Sequence, residues 1–136
     1  MPQEEPVVLL QILIITEVED NIQTMNWINL DSITLLDKIA QQSFSKAQLL
    51  FKHSTRCSIS TVAKGRLDNS NLDSDFDCYY LDLIAHRDIS AAIAEKFSVH
   101  HESPQVILIK NGACFYDESH NGIRVDEILE ALAETN

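Results

Sequence analysis

The residues best suited to chemistry lie in "KHSTRCSISTVAKGR", residues 52–66. Cys57 stands there between Arg56 and Ser58, just after the apolar run "QLLFKHS" (48–54). Beyond it Ile59, Val62, Ala63 and Leu67 recur at helical spacing. A thiol at a strand-to-helix junction meets backbone N–H groups that the helix leaves unpaired, and the positive end of the helix dipole. Both favour thiolate over thiol. Ser54 and Thr55 are the expected caps of this helix. Charge points the same way. No Asp or Glu occurs from Lys38 to Leu67, yet this span holds Lys38, Lys46, Lys52, Arg56, Lys64 and Arg66, six of the ten basic side chains. The remainder carries 4 basic and 21 acidic residues. The sequence therefore predicts a positive field around one thiol.

Ser60 stands where a C-x-x-C motif would place its second cysteine. A second thiol there resolves a mixed disulfide from within the chain; a serine leaves that step to a thiol from solution. The pattern "CSIS" thus predicts monothiol chemistry, in which a small thiol or a protein is taken onto Cys57 and passed on. The Ser60 hydroxyl can bond the thiolate, cap the helix or bond backbone. Cys78 and Cys114, among Tyr79, Tyr80 and Phe115, read as packing residues in strands. His53 reads as a satisfied histidine at a strand end. His100, His101 and His120 lack the companion spacing of a metal site, and no metal is expected.

These residues need a frame. "MNWINL" (25–30), "QLLFKHS" (48–54) and "CYYLDLI" (78–84) read as strands. "QVILIK" (105–110) and "ACFYD" (113–117), joined by Asn111-Gly112, read as a hairpin, because Asn and Gly accept the positive φ of a two-residue turn. Helices are expected around Leu35, Leu36, Ile39 and Ala40, capped by Asp31 or Ser32, and around Ile89, Ala92, Ile93 and Phe97, opened by Asp88 or Ser90. A further helix carries Val125, Ile128, Leu129 and Leu132. The order β-α-β-α-β-α-β-β-α suits an α/β fold with a central mixed sheet flanked by helices, the order of the thioredoxin-like fold.

The 136 residues suit one domain. A formal charge of −11 disfavours nucleic acid as a partner. Three cysteines cannot all pair within the chain, and they read as thiols of a reducing, cytoplasmic compartment. The apolar run "VVLLQILIIT" (7–16) is too short to span a bilayer and follows Glu4 and Glu5, the wrong sign for a signal peptide. Residues 1–24 are read as an N-terminal extension before a domain at 25–136. Two readings stay open: a strand or helix packing on this domain or pairing two copies through residues 7–16, or a native start at Met25.

Three blocks, "FKHSTRCSIS" (51–60), "YYLDLIAHRDISAAIAEKF" (79–97) and "HHESPQVILIKNG" (100–112), resemble the YtxJ-type monothiol bacilliredoxins. The likeness runs from about Met25 to the C-terminus. It implies a thioredoxin-like fold and thiol–disulfide exchange that removes bacillithiol, or a similar small thiol, from S-thiolated cytosolic proteins. No bound cofactor is implied; the small thiol is a co-substrate. Cys57 matches the family's active cysteine. Where the family commonly has "TCPIS", this chain has Arg56 and Ser58 in place of the Thr and Pro. Pro104 matches the proline that is cis in thioredoxin-like proteins, which implies a role for Ser103 in pairing with a bound chain. Thr55, Arg56, Ser58, Ser60, Ser103 and Pro104 are the expected supporting residues. Lys52 and Arg56 are the candidates for holding the anionic thiol. The competing reading is a non-catalytic thioredoxin-like module that binds protein at the Ser103–Pro104 edge.

Overall fold

The computed structural model describes residues 25–135. The extension 1–24, including the proposed pairing of copies through 7–16, lies outside the described residues. The elements follow the expected order: β1 (Ile28–Asn29), α1 (Leu35–Gln42), β2 (Gln48–His53), α2 (Ser58–Asp68), β3 (Asp77–Asp82), α3 (Arg87–Phe97), β4 (Gln105–Lys110), β5 (Ala113–Ser119) and α4 (Val125–Glu134). Single 3-10 turns occur at Leu72–Ser74 and His120–Gly122. The sheet order is β1-β3-β2-β4-β5. β2 pairs parallel with β3 and antiparallel with β4, so β2 is the central strand.

All six residues of β2 are buried. Alternation along it supplies both faces. Leu49 and Phe51 join Ala63 and Leu67 of α2, Ile128 of α4, and Cys78, Val106 and Leu108 of the neighbouring strands. Leu50 joins Leu36 and Ile39 of α1, Ile89, Ile93 and Phe97 of α3, and Leu81, Ile107 and Ile109. The result is one sheet between two helical layers, an α/β thioredoxin-like fold. Burying each such Leu or Phe contributes roughly 1.5–3 kcal/mol.

The hairpin forms as read. Asn111 and Gly112 take φ of 56° and 80°, and a β-bulge shifts the register after Leu108, so that Leu108 faces Tyr116 and Ile109 faces Cys114. The helix caps differ from expectation. α1 starts at Leu35, later than Asp31 or Ser32 would place it, and no side chain caps it; the Ser32 hydroxyl accepts from the Thr34 N–H instead. α3 starts at Arg87 with His86 at its cap position, so Asp88 and Ser90 fall inside its first turn. "MNWINL" yields a strand of only two residues, because Met25 and Trp27 turn into the core and toward α2. The Trp27 indole N–H donates to Asp68 at 2.6 Å, which ties this entry segment to the end of α2.

Met25 is buried, and its sulfur accepts from the Ser70 hydroxyl at 3.4 Å. The packing that begins there is continuous with the core. A chain starting at Met25 is therefore expected to unfold cooperatively at the same thermal midpoint as the full chain, checked by circular dichroism. Leu50→Ala, by contrast, should cost about 2–5 kcal/mol in urea unfolding, because both faces around it are closed.

Candidate active site

Cys57 is the N-cap residue of α2, with extended φ and ψ of −110° and 122°, and it is partly exposed. Its N–H donates to the Ser54 carbonyl at 3.2 Å, closing the turn that leaves β2. Its own carbonyl accepts the first helical bond, from the Thr61 N–H at 3.1 Å, and the Thr61 hydroxyl at 3.2 Å. No side chain caps this helix, so Ser54 and Thr55 do not take the capping role expected of them. The thiol itself occupies the place of a cap, at the end where first-turn N–H groups lack helical partners. Thr55, Arg56 and Ser58 are exposed around it.

Ser60 is fully buried, and of the three roles open to its hydroxyl it takes the backbone bond. Its hydroxyl accepts from the Ser54 N–H at 3.0 Å and lies 2.6 Å from His53 Nδ1. Burial first, then Lys64, hold His53 below its ordinary range, so the ring is neutral near pH 7. A neutral ring shares one hydrogen bond with the Ser60 hydroxyl through Nδ1. The hydroxyl is thus committed between strand end and turn. His53 is stacked on Phe51 at 5.7 Å and lies 5.6 Å from the Tyr80 ring. This cluster sits under the start of α2 and holds the Cys57 turn.

Pro104 follows a cis peptide bond to Ser103. The antiparallel register sets Lys52 opposite Gln105, which brings Pro104 and Ser103 alongside the end of β2 that leads to Cys57. The Ser103 hydroxyl is buried with no hydrogen-bond partner among the described residues. The Pro104 carbonyl accepts from the His120 N–H at 3.0 Å.

Lys52 is the main correction. Expected to hold an anionic thiol, it is at 0% exposure, on the sheet face opposite α2, with its amine 2.6 Å from His101 Nδ1. It does not face the solvent around Cys57. Burial lowers its pKa to about 8, with Glu102 opposing. The other basic residues are dispersed as well. Lys46 pairs with Asp77 at 3.3 Å near the far end of β2, Lys64 pairs with Asp68 at 2.7 Å, and Arg66 donates to the Asn121 and Ile123 carbonyls. A cluster in sequence becomes a scatter in space, and Arg56 is the exposed cation adjoining Cys57 in the chain.

The other cysteines fit the packing role read from their neighbours. Cys78 is buried in β3, and burial with Asp73 and Asp77 pushes its thiol up to about 12. Cys114, half-buried in β5, is also raised by burial, and its thiol donates to the Tyr116 carbonyl. His101 is the residue that sequence reasoning missed. The only signal was a lysine in an apolar run, which on burial needs a partner, and that partner is 49 residues away.

Two outcomes follow from these placements. Iodoacetamide at pH 7.5, read by peptide mapping, should modify Cys57 first and Cys78 last; equal rates at all three cysteines would contradict the placement. The second concerns Lys52. Between pH about 8 and its ordinary 10.5 the folded chain has shed the Lys52 proton while the unfolded chain keeps it, so this group adds stability as pH rises. Below about 8 the buried charge opposes folding in full. Lys52→Met should therefore be more stable than wild type at pH 7, by about 1–3 kcal/mol, and lack that rise in urea titrations.

Comparison with known proteins agrees with the geometry. A solved thioredoxin-fold structure is 34% identical, with a TM-score of 0.69, over 78% of this chain and 93% of that one. Thioredoxin NaTrxh from Nicotiana alata (18% identity, TM-score 0.62, 82% and 93% covered) and Fasciola hepatica thioredoxin (14%, 0.60, 79% and 98%) share the fold. Residues 28–128 match the family model described as monothiol bacilliredoxin BrxC. A partly exposed cysteine opening a helix, a serine in the resolving position and this match together place the chain in the monothiol bacilliredoxin family of thiol–disulfide oxidoreductases.

Proposed function

We propose that Cys57 is the reactive thiol and that the protein removes bacillithiol, or a similar anionic small thiol, from S-thiolated proteins of a reducing cytoplasm. The observation that carries this reading is the contrast among three cysteines. Cys57 opens a helix, whereas Cys78 is buried and Cys114, as partly exposed as Cys57, lies within a strand; burial raises the pKa of both strand thiols. Ser60 adds the monothiol character, being buried and bonded to His53 and Ser54 where a resolving thiol would stand.

The Cys57 thiolate attacks the bacillithiol sulfur of a protein mixed disulfide. A new sulfur–sulfur bond forms to Cys57 as the old one breaks, and its electron pair leaves with the target's sulfur, which takes a proton from solvent. Bacillithiol then remains on Cys57. A second small thiol from solution, as thiolate, attacks that adduct, which releases the symmetrical disulfide and regenerates Cys57. Arg56, exposed beside Cys57, is proposed to hold the carboxylates of the small thiol, with Thr55 and Ser58 in the same turn. Ser103 and Pro104 are proposed to offer backbone to the target protein.

The test uses a bacillithiolated model protein with wild type, Cys57→Ser and a Cys78→Ser/Cys114→Ser double variant. Release is expected from wild type and the double variant and not from Cys57→Ser. Release by Cys57→Ser sinks the mechanism. Release only from glutathione mixed disulfides keeps the exchange chemistry and changes the substrate.

A further inference from the structure

Lys52 is a lysine in the central strand of the sheet with no exposed surface. Such lysines are rare unless paired, and the usual partner is a carboxylate. Here the amine meets a histidine ring instead, His101 Nδ1 at 2.6 Å, with the Ser90 hydroxyl of α3 at 3.2 Å from the same nitrogen. We propose that Lys52 and His101 are a positioning pair for the exchange reaction, whose hydrogen bond holds the Ser103–Pro104 turn against the Cys57 loop and so sets the surface on which a thiolated protein docks. This rests on the reading above that Cys57 performs the exchange.

The geometry of the segment between α3 and β4 carries the proposal. It leaves α3 at Ser98 with a φ of 54° and reaches Pro104 six residues later. Most of its ties are internal or close in sequence. The Gln105 side chain donates to the His100 carbonyl at 2.9 Å and accepts from the Glu102 N–H at 3.2 Å. Glu102 lies 3.7 Å from the His100 ring and 3.6 Å from the His120 ring. These bonds shape the segment. Val99 anchors its start in the core beside Leu50 of β2, but none of these polar bonds reaches β2, the strand that leads to Cys57.

The Lys52–His101 bond does reach it, five residues before the thiol. Core packing stops at Val99; the His101 ring is held by Lys52 at 2.6 Å and, more weakly, by the Ser90 hydroxyl at 3.2 Å. The ring is exposed and borders an open groove lined by Leu83, Arg87, Ser90, Ala91 and Ala94, so it has room to swing outward. An apolar side chain of similar length at position 52 would fill the same space without the charge. What the amine adds is a directed bond across the end of the sheet, from β2 to the segment that ends in Ser103.

Lys52→Met, His101→Leu and His101→Asn test the pair, the last keeping an acceptor near the position of Nδ1. Each variant is assayed for KM and kcat on a bacillithiolated protein, for the rate of Cys57 alkylation by iodoacetamide, and for amide hydrogen exchange at residues 99–106. Lys52→Met and His101→Leu should raise KM by about tenfold while kcat and alkylation change little, and should speed exchange at 99–106. His101→Asn should raise KM less than His101→Leu. Unchanged KM in a folded Lys52→Met overturns the proposal. So does an equal loss in KM, kcat and alkylation, which marks a general structural defect. If wild type itself performs no exchange, the functional reading fails separately; hydrogen exchange then decides the pair, with equal rates at 99–106 in wild type and Lys52→Met counting against it.

Discussion

The central strand β2 ends in two buried polar side chains, Lys52 and His53, and each must find a partner inside the protein. Because side chains alternate along a strand, the two point to opposite faces of the sheet. His53 meets Ser60 beneath the first turn of α2, and Lys52 meets His101 on the far side. An unpaired buried polar group costs about 1–3 kcal/mol, and a charged one more, so neither arrangement is optional. The loop that carries Cys57 leaves the sheet between these two bonds.

The different settings of the cysteines follow from that placement. The strand delivers Cys57 to a helix start at the surface, while the same sheet buries Cys78 one strand away. Ser60, in the resolving position by sequence, is drawn down into the turn by the Ser54 N–H and the His53 ring. Monothiol character here is thus more than the lack of a second sulfur. The hydroxyl that replaces it helps to build the turn that presents the first.

Much of the fold was legible because its signals are local. Asn111-Gly112 between apolar runs marks the hairpin, and the near-continuous apolar character of residues 48–51 and 105–109 marks strands closed on both faces. Helical spacing located α1 through α4. Helix starts were less legible. Asp, Ser and Thr stand near each expected start, yet α1, α2 and α3 are left without a side-chain cap, because turn geometry and packing of the preceding segment decided where each helix begins.

Residue types and local spacing set out the chemistry on offer: a thiol at a strand-to-helix junction, a serine three residues on, a proline before the hairpin. They set the element order as well, since periodicity and turn residues act over a few positions. Where the charges go depended on the folded chain. Lys46, Lys52, Lys64 and Arg66 surround Cys57 in the chain, yet Asp77, His101, Asp68 and the carbonyls of residues 121 and 123 take them to four different places. The physical reason is that a long basic side chain spans several ångströms and settles on the nearest acceptor the fold supplies. Those acceptors come mostly from segments distant in sequence, beyond the reach of any local pattern.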